Sequence, residues 1–125
     1  MIEQKIYEYL KSEFAGSGVD VFMQVPDPNP APDYRTPFIV IEKTGSSVEN
    51  WIAESTFAIQ SYAPTLFEAA SLSEQVVKTM FGAIALDDVT RVQLNSEYNF
   101  TDTETRRPRY QAVFDVTHYC GYQKG

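Results

Sequence analysis

Apolar residues recur along this chain at two spacings, and each change of spacing marks a new element. Ile2, Ile6, Tyr9, Leu10 and Phe14 fall at steps of three and four, while Glu3, Lys5, Glu8 and Lys11 fall mainly off that stripe. The pattern predicts an amphipathic N-terminal helix, ended by Gly16 and Gly18. Residues 19–25 then alternate, with Val19, Val21, Met23 and Val25 on one face and Asp20, Phe22 and Gln24 on the other. That is the period of a strand. Five of the seven prolines follow within residues 26–37. Proline fixes φ and lacks an N–H, so neither helix nor central strand fits there, and a long, stiff loop between strands is expected.

Residues 38–43 read as a second strand, apolar on both faces at its start. Gly45, Ser46 and Ser47 read as a turn, and residues 51–62 as a longer strand. In that third strand Trp51, Ala53, Phe57 and Ile59 share one face, and Glu54, Thr56 and Gln60 the other. Thr65 followed by Glu68 has capping-box spacing and opens a helix over 66–81. Its Leu66, Ala69, Leu72, Val76 and Met80 form an apolar face, and Gly82 stops it. Asp87 and Asp88 turn the chain into a strand over 89–94, and polar residues 101–107 form a second long loop. The last strand, 109–119, puts Tyr110, Ala112, Phe114, Val116 and His118 on one face. The order is α-β-β-β-α-β-β. Consecutive strands with short links predict an α+β fold, a mostly antiparallel sheet with two helices packed on one side, as a single domain over residues 1–125.

Composition narrows the function classes. The chain has 125 residues, enough to bury roughly two-thirds of its unfolded surface without disulfides or metal. Ten Lys and Arg against 17 Asp and Glu give a net charge of −7, a poor match to the phosphate backbone of nucleic acid. No uninterrupted apolar stretch exceeds the four residues seen at 38–41, so no membrane-spanning helix is expected. The first residues lack the basic start and apolar run of a secretion signal, and a single cysteine, Cys120, forbids an internal disulfide. The expectation is a soluble domain made inside the cell.

The search for chemistry yields little. His118 is the single histidine and lies two residues from Cys120, so on a strand the two would share a face. A hydrolytic triad also needs a nucleophile and an orienting group, and the plainer reading is a histidine near a strand end. Asp87 and Asp88 suit turn geometry better than acid–base work. No HExxH, CxxC, P-loop or GxGxxG pattern occurs, so neither metal nor nucleotide cofactor is expected. Asn99-Phe100-Thr101 matches a glycosylation acceptor, which without a secretion signal reads as unused. The one basic cluster, Arg106-Arg107-Pro108-Arg109, suits either an acidic partner surface or a solvated loop balanced by Asp102 and Glu104.

The arrangement resembles the tail terminator (tail completion) proteins of long-tailed bacteriophages. The likeness is carried by Val21-Phe22-Met23-Gln24-Val25-Pro26, Pro37-Phe38-Ile39-Val40-Ile41-Glu42 and Thr56-Phe57-Ala58-Ile59-Gln60-Ser61-Tyr62-Ala63. The helix over 66–81 and the segment Asn95-Ser96-Glu97-Tyr98-Asn99-Phe100-Thr101-Asp102 add to it, and Arg107-Pro108-Arg109-Tyr110-Gln111-Ala112 is similar to versions from phages and prophages of Gram-positive bacteria. The resemblance covers nearly the whole chain and implies a structural protein of the virion, assembled in the host cytoplasm and without catalytic residues. It implies a homo-oligomeric ring, typically of six copies, that caps the tail tube and joins the head or neck connector. DNA passes through the lumen without stable binding, past a wall expected to be net negative, with the arginine cluster turned away from it. Contacts are expected in loops and strand edges, with Tyr34, Arg35, Trp51, Arg106, Arg107 and Arg109 as interface candidates. The competing readings are a neck or head-completion adaptor of the same phage module, a small hydrolase, or a ligand-binding domain with a closed apolar cavity.

Overall fold

The computed structural model describes residues 1–24, 36–104 and 106–120. The element order is α1 (Ile2–Glu13), β1 (Asp20–Phe22), β2 (Phe38–Glu49), β3 (Ile52–Tyr62), α2 (Leu66–Phe81), a 3₁₀ turn (Gly82–Ala85), β4 (Val89–Asn99) and β5 (Arg109–Tyr119). This is the predicted α+β order. The strands form one sheet in the order β1-β2-β3-β5-β4. Every pair is antiparallel except β1 with β2, which is parallel. A parallel pair needs a long crossover, and residues 23–37, which contain the proline-rich stretch, provide it. The proline-rich loop itself falls mostly outside the described residues.

Both helices lie on the same face of the sheet. Ile2, Ile6, Leu10 and Phe14 of the first helical segment and Leu72, Val76 and Met80 of α2 pack onto Ile39, Ile41, Phe57, Ile59, Ala112, Phe114 and Val116. These strand residues alternate along their strands, as one face of a pleated sheet requires. Phe57, Phe114, Ile6 and Leu10 are fully buried, each contributing about 1.5–3 kcal/mol of apolar transfer.

Local chemistry explains where the helices begin and end. Glu68 N–H donates to Thr65 Oγ1 at 3.1 Å, the expected cap of α2. α1 runs out into Gly16 and Gly18, both at positive φ. Gly82 follows α2 as predicted, but at φ −70°, in ordinary right-handed geometry. Its small size serves a close approach: the Tyr9 hydroxyl, which donates to the Thr79 carbonyl at 2.7 Å, occupies the space a Cβ would need.

The structure corrects four boundaries. Strand β1 has three residues, not the seven of 19–25, because it pairs with β2 only at Phe38, Ile39 and Val40; Met23 and Gln24 bend away, and Val25 lies outside the described residues. Gly45, Ser46 and Ser47 are not a turn. They continue β2, pairing with Thr56, Ser55 and Glu54, and a bulge at Thr44 absorbs the change of register. The turn is Asn50–Trp51, so Trp51 sits at the hairpin tip and not on a strand face. Strand β4 continues to Asn99, five residues past the predicted end, and carries bulges at Thr90 and Asn95.

Candidate interface: the helix-free face and its two ends

The second face of the sheet has neither helix on it. Cross-strand register sets its side chains in rows. Val40, Gln60, Gln111 and Tyr98 form one row, and Phe38, Tyr62 and Arg109 begin the next. In the first row Gln60 Nε2 donates to Gln111 Oε1 at 3.0 Å, Gln111 Nε2 donates to the Tyr98 hydroxyl, and the Tyr62 hydroxyl donates to Gln60 Oε1 at 3.4 Å. Each glutamine is only 7% exposed. Buried amides need partners, and this ladder supplies them.

The second row is a stack. Phe22 meets Phe38 edge-on at 5.9 Å, and Phe38 lies flat on Tyr62 at 4.5 Å. The Arg109 guanidinium lies 5.5 Å from the Tyr62 ring centroid and 4.3 Å from that of Phe100. Tyr98, from the first row, meets Phe100 edge-on at 5.8 Å. Arg109 Nε also donates to the Phe100 carbonyl at 2.7 Å and Nη1 to the Tyr62 hydroxyl at 2.9 Å. Offset and edge-on ring pairs and an arginine over a ring face each add favourable contact beyond buried area.

The structure therefore divides the predicted basic cluster. Arg109 opens β5 and is built into the stack. Arg106 is exposed in the preceding loop at positive φ, its N–H donating to the Asp102 carbonyl at 2.7 Å. Arg106 and Arg107 line a shallow groove with Phe38, Tyr62, Pro64 and Pro108. This is the proline end of the sheet. Trp51 occupies the opposite, hairpin end: β3 spans 11 residues between the two, roughly 35 Å. The predicted residues Trp51 and Arg106, Arg107 and Arg109 thus form two sites, not one. Tyr34 and Arg35 lie outside the described residues.

The hairpin end has its own chemistry. Asn50 and Trp51 have φ of 53° and 69°, a two-residue turn with both central residues in the left-handed region. Asn tolerates that conformation and Gly is the usual second residue, so Trp51 is held at a cost of about 1–2 kcal/mol. Trp51 is 47% exposed, and Ile52 beside it is similarly exposed. A hollow under the tip is lined by Ser47, Glu49, Ile52, Glu54 and Thr117. Among the described residues no cation pairs with Glu49 or Glu54.

Sequence reasoning missed the buried partner of His118. Ser55 Oγ lies 2.8 Å from Nε2, and Nδ1 lies 3.1 Å from the Tyr119 carbonyl. A carbonyl only accepts, so Nδ1 carries the proton, Nε2 accepts from Ser55, and Ser46 Oγ, 3.2 Å from Ser55 Oγ, completes the chain. Burial lowers the His118 pKa below the ordinary 6.5, and Lys43 and Lys5 pull the same way against the Tyr119 carbonyl and Glu3. The pair has serine–histidine hydrogen-bond geometry, yet Ser55 is fully buried and both ring nitrogens are occupied, so it ties β2, β3 and β5 together. Cys120 is not its partner; its N–H donates to the Trp51 carbonyl at 2.8 Å, holding the end of β5 to the hairpin tip. Ser55 is paired with Val116 and His118 with Ala53, so the two polar core residues meet on the diagonal, a contact that only the register reveals. Asp88 takes the predicted turn role and pairs with Lys5 at 2.8 Å. Asn99 Oδ1 accepts from Thr101 N–H and Oγ1, closing the loop after β4. Comparison with known protein families and with curated proteins finds no match for this chain.

Proposed function

We propose that this protein is a structural component of a long-tailed phage virion, a tail terminator that caps the tail tube as a ring and joins it to the head or neck connector. The observation that supports the reading best is the distribution of contact chemistry. Both helices cover one face of the sheet; away from that layer, Trp51 and Ile52 are exposed at the hairpin end and Tyr98, Phe100 and Arg106 toward the proline end, and Phe67 and Phe81 are exposed on α2 itself. A subunit that must touch like copies, a tube below and a connector above needs several separate patches, and of these residues Trp51, Phe100 and Arg106 lie on turns and loops. The element order agrees with the family likeness, and −7 per copy leaves acidic side chains to line a channel that DNA must traverse without sticking.

Purified protein mixed with tail tubes, viewed by negative-stain electron microscopy, tests this. The expected result is a ring of extra density at one tube end. A protein that stays monomeric by light scattering, alone and with tubes, overturns the reading. Binding to the portal side and not to tubes would assign the chain to the neck instead.

A further inference from the structure

We infer that the hairpin tip of one copy docks into the proline-end groove of the next, so that Trp51 and the arginines about 35 Å away are the two halves of one head-to-tail contact; this rests on the self-assembly reading above. Three features converge on it. The first is Trp51 itself. It holds a left-handed backbone position that glycine fills without strain, and its ring is half exposed. Strain kept at an exposed aromatic residue points to a use for that side chain.

The second is Arg109. An arginine has five N–H donors. Two are spent holding Arg109 between Tyr62 and Phe100. The rest have no protein partner among the described residues, although acidic groups outnumber basic ones in the chain. The guanidinium is held in place and has no carboxylate partner among the described residues, which is the condition for binding one with little loss of side-chain freedom. Through Tyr62, Arg109 borders the groove that Arg106 and Arg107 line; Arg106 is exposed there, and the other walls are Ala63, Pro64, Pro108 and the largely buried rings of Phe38 and Tyr62.

The third is complementarity. The tip offers an indole beside the carboxylates of Glu49 and Glu54, which pair with no cation among the described residues; the groove offers proline and aromatic walls with Arg106 and Arg107 at its rim. The patches do not overlap, so each copy can give and receive at once. Such heterologous contacts close into rings when the rotation per step allows. The alternative of joining sheets edge to edge is disfavoured, because the outer strand β4 is bulged at Thr90 and Asn95.

The experiment uses two full-length variants, a tip variant (Glu49→Lys with Trp51→Gly) and a groove variant (Arg106→Glu with Arg109→Gln). Each is followed by sedimentation velocity, free and with tail tubes, beside thermal melting. Each variant alone should self-associate at least about thirtyfold more weakly than wild type. Mixed together they should form a one-to-one dimer and nothing larger, because only one intact tip and one intact groove remain to meet. Trp51→Gly alone should weaken assembly without lowering the melting temperature, which separates a contact role from a structural one. Should Arg109→Gln unfold the groove variant, Arg106→Glu with Arg107→Glu replaces it. Wild-type assembly with both variants assembling equally well overturns this contact and leaves the ring reading standing. Variants that stay monomeric when mixed also overturn it. A monomeric wild type under every condition overturns the ring reading and this contact with it.

Discussion

The two faces of the sheet are built from the same strands by opposite means. On the helix-covered face, Phe57, Ile59, Phe114 and Val116 are sealed by side chains from another layer. On the helix-free face, Gln60, Gln111, Tyr62 and Arg109 occupy one another's hydrogen bonds and ring faces within the sheet. The first arrangement is stabilised by apolar area removed from water, the second by saturated polar groups. Their responses to substitution should differ accordingly.

The largest expected effect lies on the covered face. Phe114→Ala should destabilise the protein by about 3–5 kcal/mol in urea unfolding, through lost transfer energy and the cavity left against Phe81. Phe100→Ala, on the helix-free face at 40% exposure, should cost less than half as much; equal losses would break the distinction. Next in size is the glutamine ladder. Gln111→Leu leaves the Gln60 amide without its acceptor and should cost about 1–3 kcal/mol, while Gln60→Leu with Gln111→Leu should recover most of that loss. Two additive losses would show that the ladder is not a coupled unit.

Acid sharpens the contrast from the covered side. The folded-state pKa of His118 lies below its unfolded value of 6.5, so the unfolded chain binds the proton more readily. The resulting stability is present above that value and drains away as pH falls below it. Melting temperatures from pH 8 to pH 5 should therefore fall more steeply for wild type than for His118→Gln. Parallel curves would show that His118 does not carry the loss in this range; Glu3, whose carboxylate pairs with Lys43 at 3.2 Å and titrates below its ordinary 4.5, can contribute only at lower pH. The smallest effect is expected at Ser61, whose fully buried hydroxyl has no hydrogen-bond partner among the described residues. Ser61→Ala should be neutral or stabilising by up to about 1 kcal/mol in the same unfolding assay.

How much of this was legible in the sequence follows from how local each signal is. The α1 stripe, the Thr65 cap and the alternation of Tyr110 to His118 are short-range patterns, and the structure follows them closely. Gly45-Ser46-Ser47 misled because small polar residues mark turns in general, whereas here they face Ser55 and Glu54 across a hairpin whose tip lies at Asn50–Trp51. The parallel β1–β2 pair was hidden because direction depends on how residues 23–37 return the chain, which no local pattern records. The site divided in the same way. Trp51 and the arginines stood out by type alone. Arg109, read as one of a loop cluster, owes its role to Tyr62 and Phe100, and the Ser55–His118 bond joins residues 63 apart in the chain. Such pairings exist only once register is set.

The hydroxyl of Tyr9 over Gly82 has a consequence for motion. Thr79 lies in the last turn of α2, and its oxygen accepts both from a backbone N–H at the helix end and from a side chain that belongs to α1. The end of one helix is thereby braced by the other. If α1 lifts from the sheet, that carbonyl loses one of its two donors and the packing at Gly82 opens together with it. The N-terminal helix and the last turn of α2 should accordingly exchange their amide hydrogens as one cooperative unit, although 70 positions separate Tyr9 from Thr79.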